Sequence, residues 1–131
     1  MSLLVGLRLG VSDSTRLQMK AGHTQYELEL ASNEAARQKG LGSRLSMPSN
    51  SGMLFSYGDS ATRCFWMKDM RFSLDIIWFN SQKVVEQIEP KVAPETYPHT
   101  FCSTKPSQFV IELNAGQAAS NKMYVGQRLS F

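Results

Sequence analysis

The chain has 131 residues, enough for one domain that buries a core without metals or disulfides to hold it. A hydrophobic fraction of 42% against 19% charged residues excludes intrinsic disorder. The formal net charge of +3 is spread along the chain with no run of Lys or Arg, which speaks against a nucleic-acid partner.

The start, Met1-Ser2-Leu3-Leu4-Val5-Gly6-Leu7, is apolar but lacks the basic residues, longer apolar region and cleavage site of a secretion signal. Residues 1–14 read as a flexible or vector-derived lead-in. The protein is then cytoplasmic, or exported to a compartment such as the periplasm if a leader was trimmed. Arg16–Lys20 and Thr24–Ala31 read as a hairpin across Ala21-Gly22-His23, with Tyr26, Leu28 and Leu30 alternating against Gln25, Glu27 and Glu29. Ser32 stands where an N-cap belongs, and a short helix near residues 33–40 follows, with an acid in its first turn, bases in its last and Gly40 as its stop. Two turns of helix are marginal alone, so Ala35, Ala36 and Leu41 are expected to pack on the sheet.

Gly42–Gly52 is a loop rich in Ser, with Pro48 and Asn50, leading into a strand at Met53–Tyr57 and a turn at Gly58-Asp59-Ser60. Cys64–Phe79 is the most informative run, because it holds both tryptophans, two methionines and several charges. Its charged first half suits a ligand-facing surface or a bend between strands, and its apolar second half suits a core strand. Asn80-Ser81-Gln82 turns the chain into Lys83–Ile88, making a hairpin. Pro90, Pro94, Pro98 and Pro106 keep the next segment out of central sheet. Phe109–Leu113 is a strand, Asn114-Ala115-Gly116 a turn or helix start, and a last short strand falls within Tyr124–Phe131. No stretch reaches the about 18 to 20 apolar residues of a transmembrane helix, since Asp75 interrupts even Leu74–Phe79.

Many short strands, one short helix and no alternating strand–helix pattern predict a mainly β fold, a small antiparallel barrel or curled sheet. Cys64 and Cys102 form no CxxC motif and are expected to be two independent buried thiols rather than a disulfide.

The blocks Glu34-Ala35-Ala36-Arg37-Gln38-Lys39-Gly40-Leu41, Gly52-Met53-Leu54-Phe55, Phe65-Trp66-Met67-Lys68, Leu74-Asp75-Ile76-Ile77 and Ile111-Glu112-Leu113-Asn114-Ala115-Gly116, with Arg44-Leu45 and Val125-Gly126, occur in this order. Over Glu27–Phe131 the chain resembles the family known as domain of unknown function 192. That resemblance implies a compact, mostly β fold, often behind a secretion or lipoprotein leader, with no established reaction or cofactor. Ser73 stands where the family often has proline, and Gln127 where aspartate is usual.

Trp66, Met67, Lys68, Asp69 and Arg71 form the densest candidate site, in which a ring could stack on Trp66 while charges orient it. The structural alternative turns Phe65 and Met67 inward and Trp66 and Lys68 outward, with Lys68 paired to Asp69 or Asp75. Asp75, inside an apolar strand, requires a partner such as Arg44, Lys68 or backbone amides. Glu112 shares a strand face with Val110 and Asn114, and points to solvent unless the sheet curls into a barrel.

Three functions follow. The first is a binding or accessory module with a small-molecule or protein partner, using Arg44, Met53, Trp66, Lys68, Asp75 and Glu112. The second is an enzyme with an Asp75/Glu112 carboxylate pair in a barrel cavity. The third is a soft-metal site, for copper, drawn from Met47, Met53, Met67, Met70, Cys64, Cys102, His23 and His99. The binding reading is preferred, with no cofactor, no metal and a monomer or weak dimer. Phosphate loops, nucleophile elbows and zinc-protease motifs are absent from the sequence.

Overall fold

The computed structural model describes residues 15–131, so the expectations for residues 1–14 lie outside the described residues. Strands β1 (Arg16–Ala21) and β2 (Thr24–Ala31) form the expected antiparallel hairpin, in register from Arg16↔Glu29 to Ala21↔Thr24. Its turn needs Gly22, whose φ is +58° and where a Cβ would lie 2.8 Å from the Asn121 side chain. Helix α1 (Glu34–Lys39) begins one residue later than the sequence suggests: Asn33, not Ser32, is the N-cap, accepting the Ala36 N–H at 2.9 Å. Ala36 and Leu41 pack on the sheet as expected, whereas Ala35 faces solvent.

Strand β3 (Ser51–Ala61) lies parallel to β2, and α1 with its loop is the crossover that a parallel pair requires. The turn expected at Gly58-Asp59-Ser60 does not form. A register shift between Ser56 and Ala61 absorbs these exposed residues, and pairing resumes at Ala61↔Ser107. The remaining strands are β4 (Cys64–Phe65), β5 (Leu74–Phe79), β6 (Val85–Val92), β7 (Phe101–Cys102) and β8 (Ser107–Asn114). The main sheet runs β1-β2-β3-β8-β5-β6, while β4 and β7 form a small second ladder. The fold is mainly β, as predicted. The sheet stays open rather than closing as a barrel, and it is mixed because of the β2–β3 pair.

Pro90 is accommodated because β6 is an edge strand. The β5–β6 register shifts between Leu74↔Val92 and Ile76↔Glu89, where Lys91 takes a positive φ of 51°. Beyond β8 a short helix, α2 (Gln117–Ser120), occupies the segment where the sequence indicates only a turn or helix start. The final strand expected in Tyr124–Phe131 reduces to one bridge, Val84↔Arg128, since the chain turns at Tyr124–Gln127 with Gly126 at a φ of +98°.

Both faces of the central strands are buried. One packs Leu28, Leu54, Ile77, Phe79, Ile111 and Leu113 beneath α2 and the C-terminal residues Met123 and Leu129. The other packs Phe55, Leu74, Ile76, Trp78 and Val110 beneath Leu41, Met67, Phe65 and Phe101. Two-sided burial explains why β5 reads as a nearly unbroken apolar run. Cys64 and Cys102 oppose each other in the β4–β7 ladder and form a disulfide, which corrects the expectation of two free thiols. The pairing is invisible in the spacing because 38 residues of chain must fold back to create it.

Candidate functional site

The second face is incompletely covered. Between α1 with its following loop and the Cys64–Met70 segment lies a cleft of about 620 Å³, within the range of small-molecule sites. Glu34, Arg37 and Gln38 of α1 form one wall, Phe65, Trp66 and Lys68 the other, and Phe55, Tyr57 and Glu112 lie on the sheet between them. The two-residue alternation that directs Phe55 and Tyr57 of β3 toward the cleft does the same for Glu112 of β8, which pairs directly with Met53 on one side and Ile76 on the other.

Glu112 is only 5% exposed, and among the described residues its carboxyl makes no hydrogen bond or ion pair. Burial with no compensating partner pushes its pKa up from 4.5 to about 8. It is therefore largely protonated at neutral pH. The outward, solvated Glu112 favoured by the sequence is corrected: it shares a face with Val110 as expected, but that face is covered by the Cys64–Met70 segment.

Aromatic side chains surround this carboxyl. Phe55 and Phe65 meet edge to face with ring centroids 4.9 Å apart. The Tyr57 ring carries the Arg63 guanidinium at 3.8 Å and the Arg37 guanidinium at 4.8 Å. Burial raises the Tyr57 hydroxyl above its usual pKa despite the opposing pull of Arg63 and Arg37. Arg37 also donates to the Ser56 carbonyl at 2.9 Å and lies 3.8 Å from Glu34. Trp66 remains 46% exposed. Its ring leans on Tyr97 at 5.1 Å between centroids, and the Lys68 ammonium lies 5.9 Å from it.

The mixed run from Cys64 divides as the sequence suggests. Phe65 and Met67 turn inward, Trp66 and Lys68 outward, and a bend follows in which Asp69 takes a φ of +61° and its carbonyl accepts the Ser43 N–H at 2.8 Å. Asp tolerates that conformation better than most residues. Among the described residues Lys68 forms no ion pair with Asp69 or Asp75.

Of the six residues expected to share one surface, Trp66, Lys68 and Glu112 line the cleft. Met53 is buried beside Glu112 in the adjoining strand, 4% exposed. Arg44 lies elsewhere, in a smaller groove, bound to Glu29. Asp75 lies on the opposite sheet face: Ile76 opposes Glu112, so its neighbour Asp75 points away. This removes the Asp75/Glu112 acid–base pair. Asp75 is instead a structural anchor, accepting N–H donors from Lys91 at 2.9 Å, Gly116 at 3.1 Å and Ala118 at 2.8 Å. Of the partners the sequence offers it, the backbone amides are the ones it takes, not Arg44 or Lys68.

The copper reading loses its thiolates to the disulfide, and its methionines Met53 and Met67 are core residues. Among the described residues no group of three His, Cys, Asp or Glu side chains could hold a metal ion, and no helix is long and apolar enough to cross a membrane. Sequence reasoning missed the contribution of α1 and the roles of Phe55 and Tyr57. The alternation Met53, Phe55, Tyr57 beside Val110, Glu112 was the available signal, but it acquires meaning only once β3 and β8 are known to pair.

With this geometry in place, the chain belongs to the family of domain of unknown function 192, described as "Uncharacterized ACR, COG1430", whose profile matches residues 16–131. Two solved structures are similar to it. One, from Sinorhizobium meliloti 1021, is assigned provisionally as a transcription regulator; it is 27% identical, with a TM-score of 0.83 over 92% of this chain and 97% of that one. The other, from Novosphingobium aromaticivorans DSM 12444, is of unknown function; it is 25% identical, with a TM-score of 0.85 over 93% and 89% of the two chains. No curated protein matches the chain.

Proposed function

We propose that this protein is a small-molecule binding module whose site is the cleft above Glu112. The observation that carries this reading is the carboxyl itself, buried in a roomy, aromatic-lined cleft with no partner among the described residues. A buried polar group ordinarily finds a hydrogen bond, and its absence calls for an explanation. A ligand that supplies the missing bond is one, and it also uses the half-exposed ring of Trp66, which the core does not need. The regulator assignment of the Sinorhizobium meliloti protein is not carried over, because Lys and Arg are dispersed along this chain. The disulfide favours an oxidising compartment, and so the exported alternative over the cytoplasmic one.

A fragment survey by amide chemical-shift mapping on the oxidised protein tests the proposal. Expected are shifts confined to the cleft lining, Phe55, Tyr57, Phe65, Trp66, Lys68 and Glu112 among them, lost in Trp66→Ala while the thermal melt is retained. Fragments that map only outside the cleft, or a Trp66→Ala variant that unfolds, would remove the basis of the reading.

A further inference from the structure

Resting on the cleft being a ligand site, we propose that its ligand is an acidic sugar: a hydroxyl-bearing ring held by Glu112 and the aromatic walls, with an anionic substituent reaching Lys39 and Lys68. A carboxyl group in its neutral form offers one O–H donor and retains acceptor capacity. Neighbouring ring hydroxyls present the same pairing in reverse. The burial that raises the pKa of Glu112 to about 8 keeps it in this form through the neutral range. The aromatic walls suit the other surface of such a ring, its C–H face. Trp66 is 46% exposed, and its contact with Tyr97 braces it at the cleft edge.

The competing ligand, an organic ammonium ion in an aromatic cage, fits less well. It would want a carboxylate, whereas Glu112 is held neutral, and it would want a cage of several free aromatic faces, where a sugar ring needs only the one that Trp66 offers. The Tyr57 ring is already occupied by Arg37 and Arg63, and Lys68 stands near the Trp66 ring. The charges lining the cleft also oppose a cation. Arg37, Lys39 and Lys68 face Glu34 and Asp69, an excess of one positive charge while Glu112 is protonated. Arg37 is near Glu34 at 3.8 Å. Among the described residues Lys39 and Lys68 have no ion pair, so theirs are the ammonium groups free for an anionic substituent.

The test uses the full, oxidised chain and four probes, sodium glucuronate, glucose 6-phosphate, glucose and choline, titrated by calorimetry and by tryptophan fluorescence. At least one acidic sugar is expected to bind about tenfold more tightly than glucose, the worth of one charge-assisted contact. Which of the two binds distinguishes a carboxylate from a phosphate substituent. A Lys39→Ala/Lys68→Ala variant should erase that preference, so that acidic sugars bind it no more tightly than glucose does. Glu112→Gln, whose amide also donates and accepts, should retain binding, and Glu112→Leu should lose it. If Glu112→Leu does not fold, Trp66→Ala carries the same expectation. Affinity should hold up to about pH 8 and fall above it as Glu112 ionises.

Choline binding more tightly than the acidic sugars, acidic sugars no better than glucose, or affinity rising above pH 8 would each overturn the proposal. Choline binding that disappears in Trp66→Ala would do so while leaving the cleft a ligand site. No binding by any probe overturns the sugar assignment, and the fragment survey then decides separately whether the cleft binds ligands at all.

Discussion

Two carboxyl groups are buried on neighbouring strands of this sheet, and they differ in everything except burial. Asp75, fully buried on the face closed by α2, accepts three backbone N–H donors and holds β6 and the start of α2 in place. Glu112, 5% exposed on the face that opens into the cleft, has no hydrogen bond or ion pair among the described residues. A buried acid is therefore not in itself a functional signal. What separates anchor from candidate site is whether the fold supplies the partners.

The sharpest way to break this comparison is to remove each acid in turn. Asp75→Ala orphans the buried Ala118 N–H, at about 2 kcal/mol, and the part-buried Lys91 and Gly116 N–H groups, at about 1 kcal/mol each, a total of about 4 kcal/mol that is a large part of the stability of a chain this size. We expect urea denaturation to show loss of cooperative folding, and a near-native transition would demote Asp75 from anchor. For Glu112 the sign is reversed. Its folded pKa of about 8 lies above the unfolded 4.5, so the native state binds the extra proton between these values. Stability from this group is complete below about pH 4.5 and is lost as pH rises toward about 8, by about 4 to 5 kcal/mol in all. Glu112→Gln should flatten the pH dependence across that window, measured as the difference in unfolding free energy from the parent protein; equal slopes would mean that Glu112 has a partner.

The disulfide tests how firmly the cleft wall is held. Closing a loop across a separation of 38 residues is worth about 4 kcal/mol in the chain-entropy account. Cys64→Ser/Cys102→Ser should lower stability by that order, and a thiol assay of the unfolded parent should detect no free cysteine before reduction. The smallest effect is expected from Trp66→Ala. Half-exposed and touching Tyr97, the ring should contribute about 1 kcal/mol to stability. A much larger loss in a thermal melt would make Trp66 part of the core and the cleft correspondingly less free.

The local patterns that sequence reasoning uses account for much of the fold. Alternation located β2 and supplied the alternative in which Phe65 and Met67 turn inward against Trp66 and Lys68, though not the Lys68 ion pair expected with it, and Gly40 marked the end of α1. The failures are non-local. Gly58-Asp59-Ser60 resembles a turn, yet it is carried inside β3 by an irregularity in the pairing with β8. Cys64 and Cys102 resemble unrelated thiols until β4 and β7 pair. Asp75 and Glu112 look equivalent, each a single acid in an apolar strand, because sequence reveals alternation within a strand but not the register between strands.

The sequence by itself determined a mainly β chain of this family, with an odd charged and aromatic run after Cys64 and two acids needing an explanation. These features depend on residue type, spacing and period. Only the tertiary structure decided that the sheet stays open, that the cysteines join and that the acids face opposite ways. Strand order and register fix all three, and a shift of one residue in register would reverse the face on which every side chain of a strand lies.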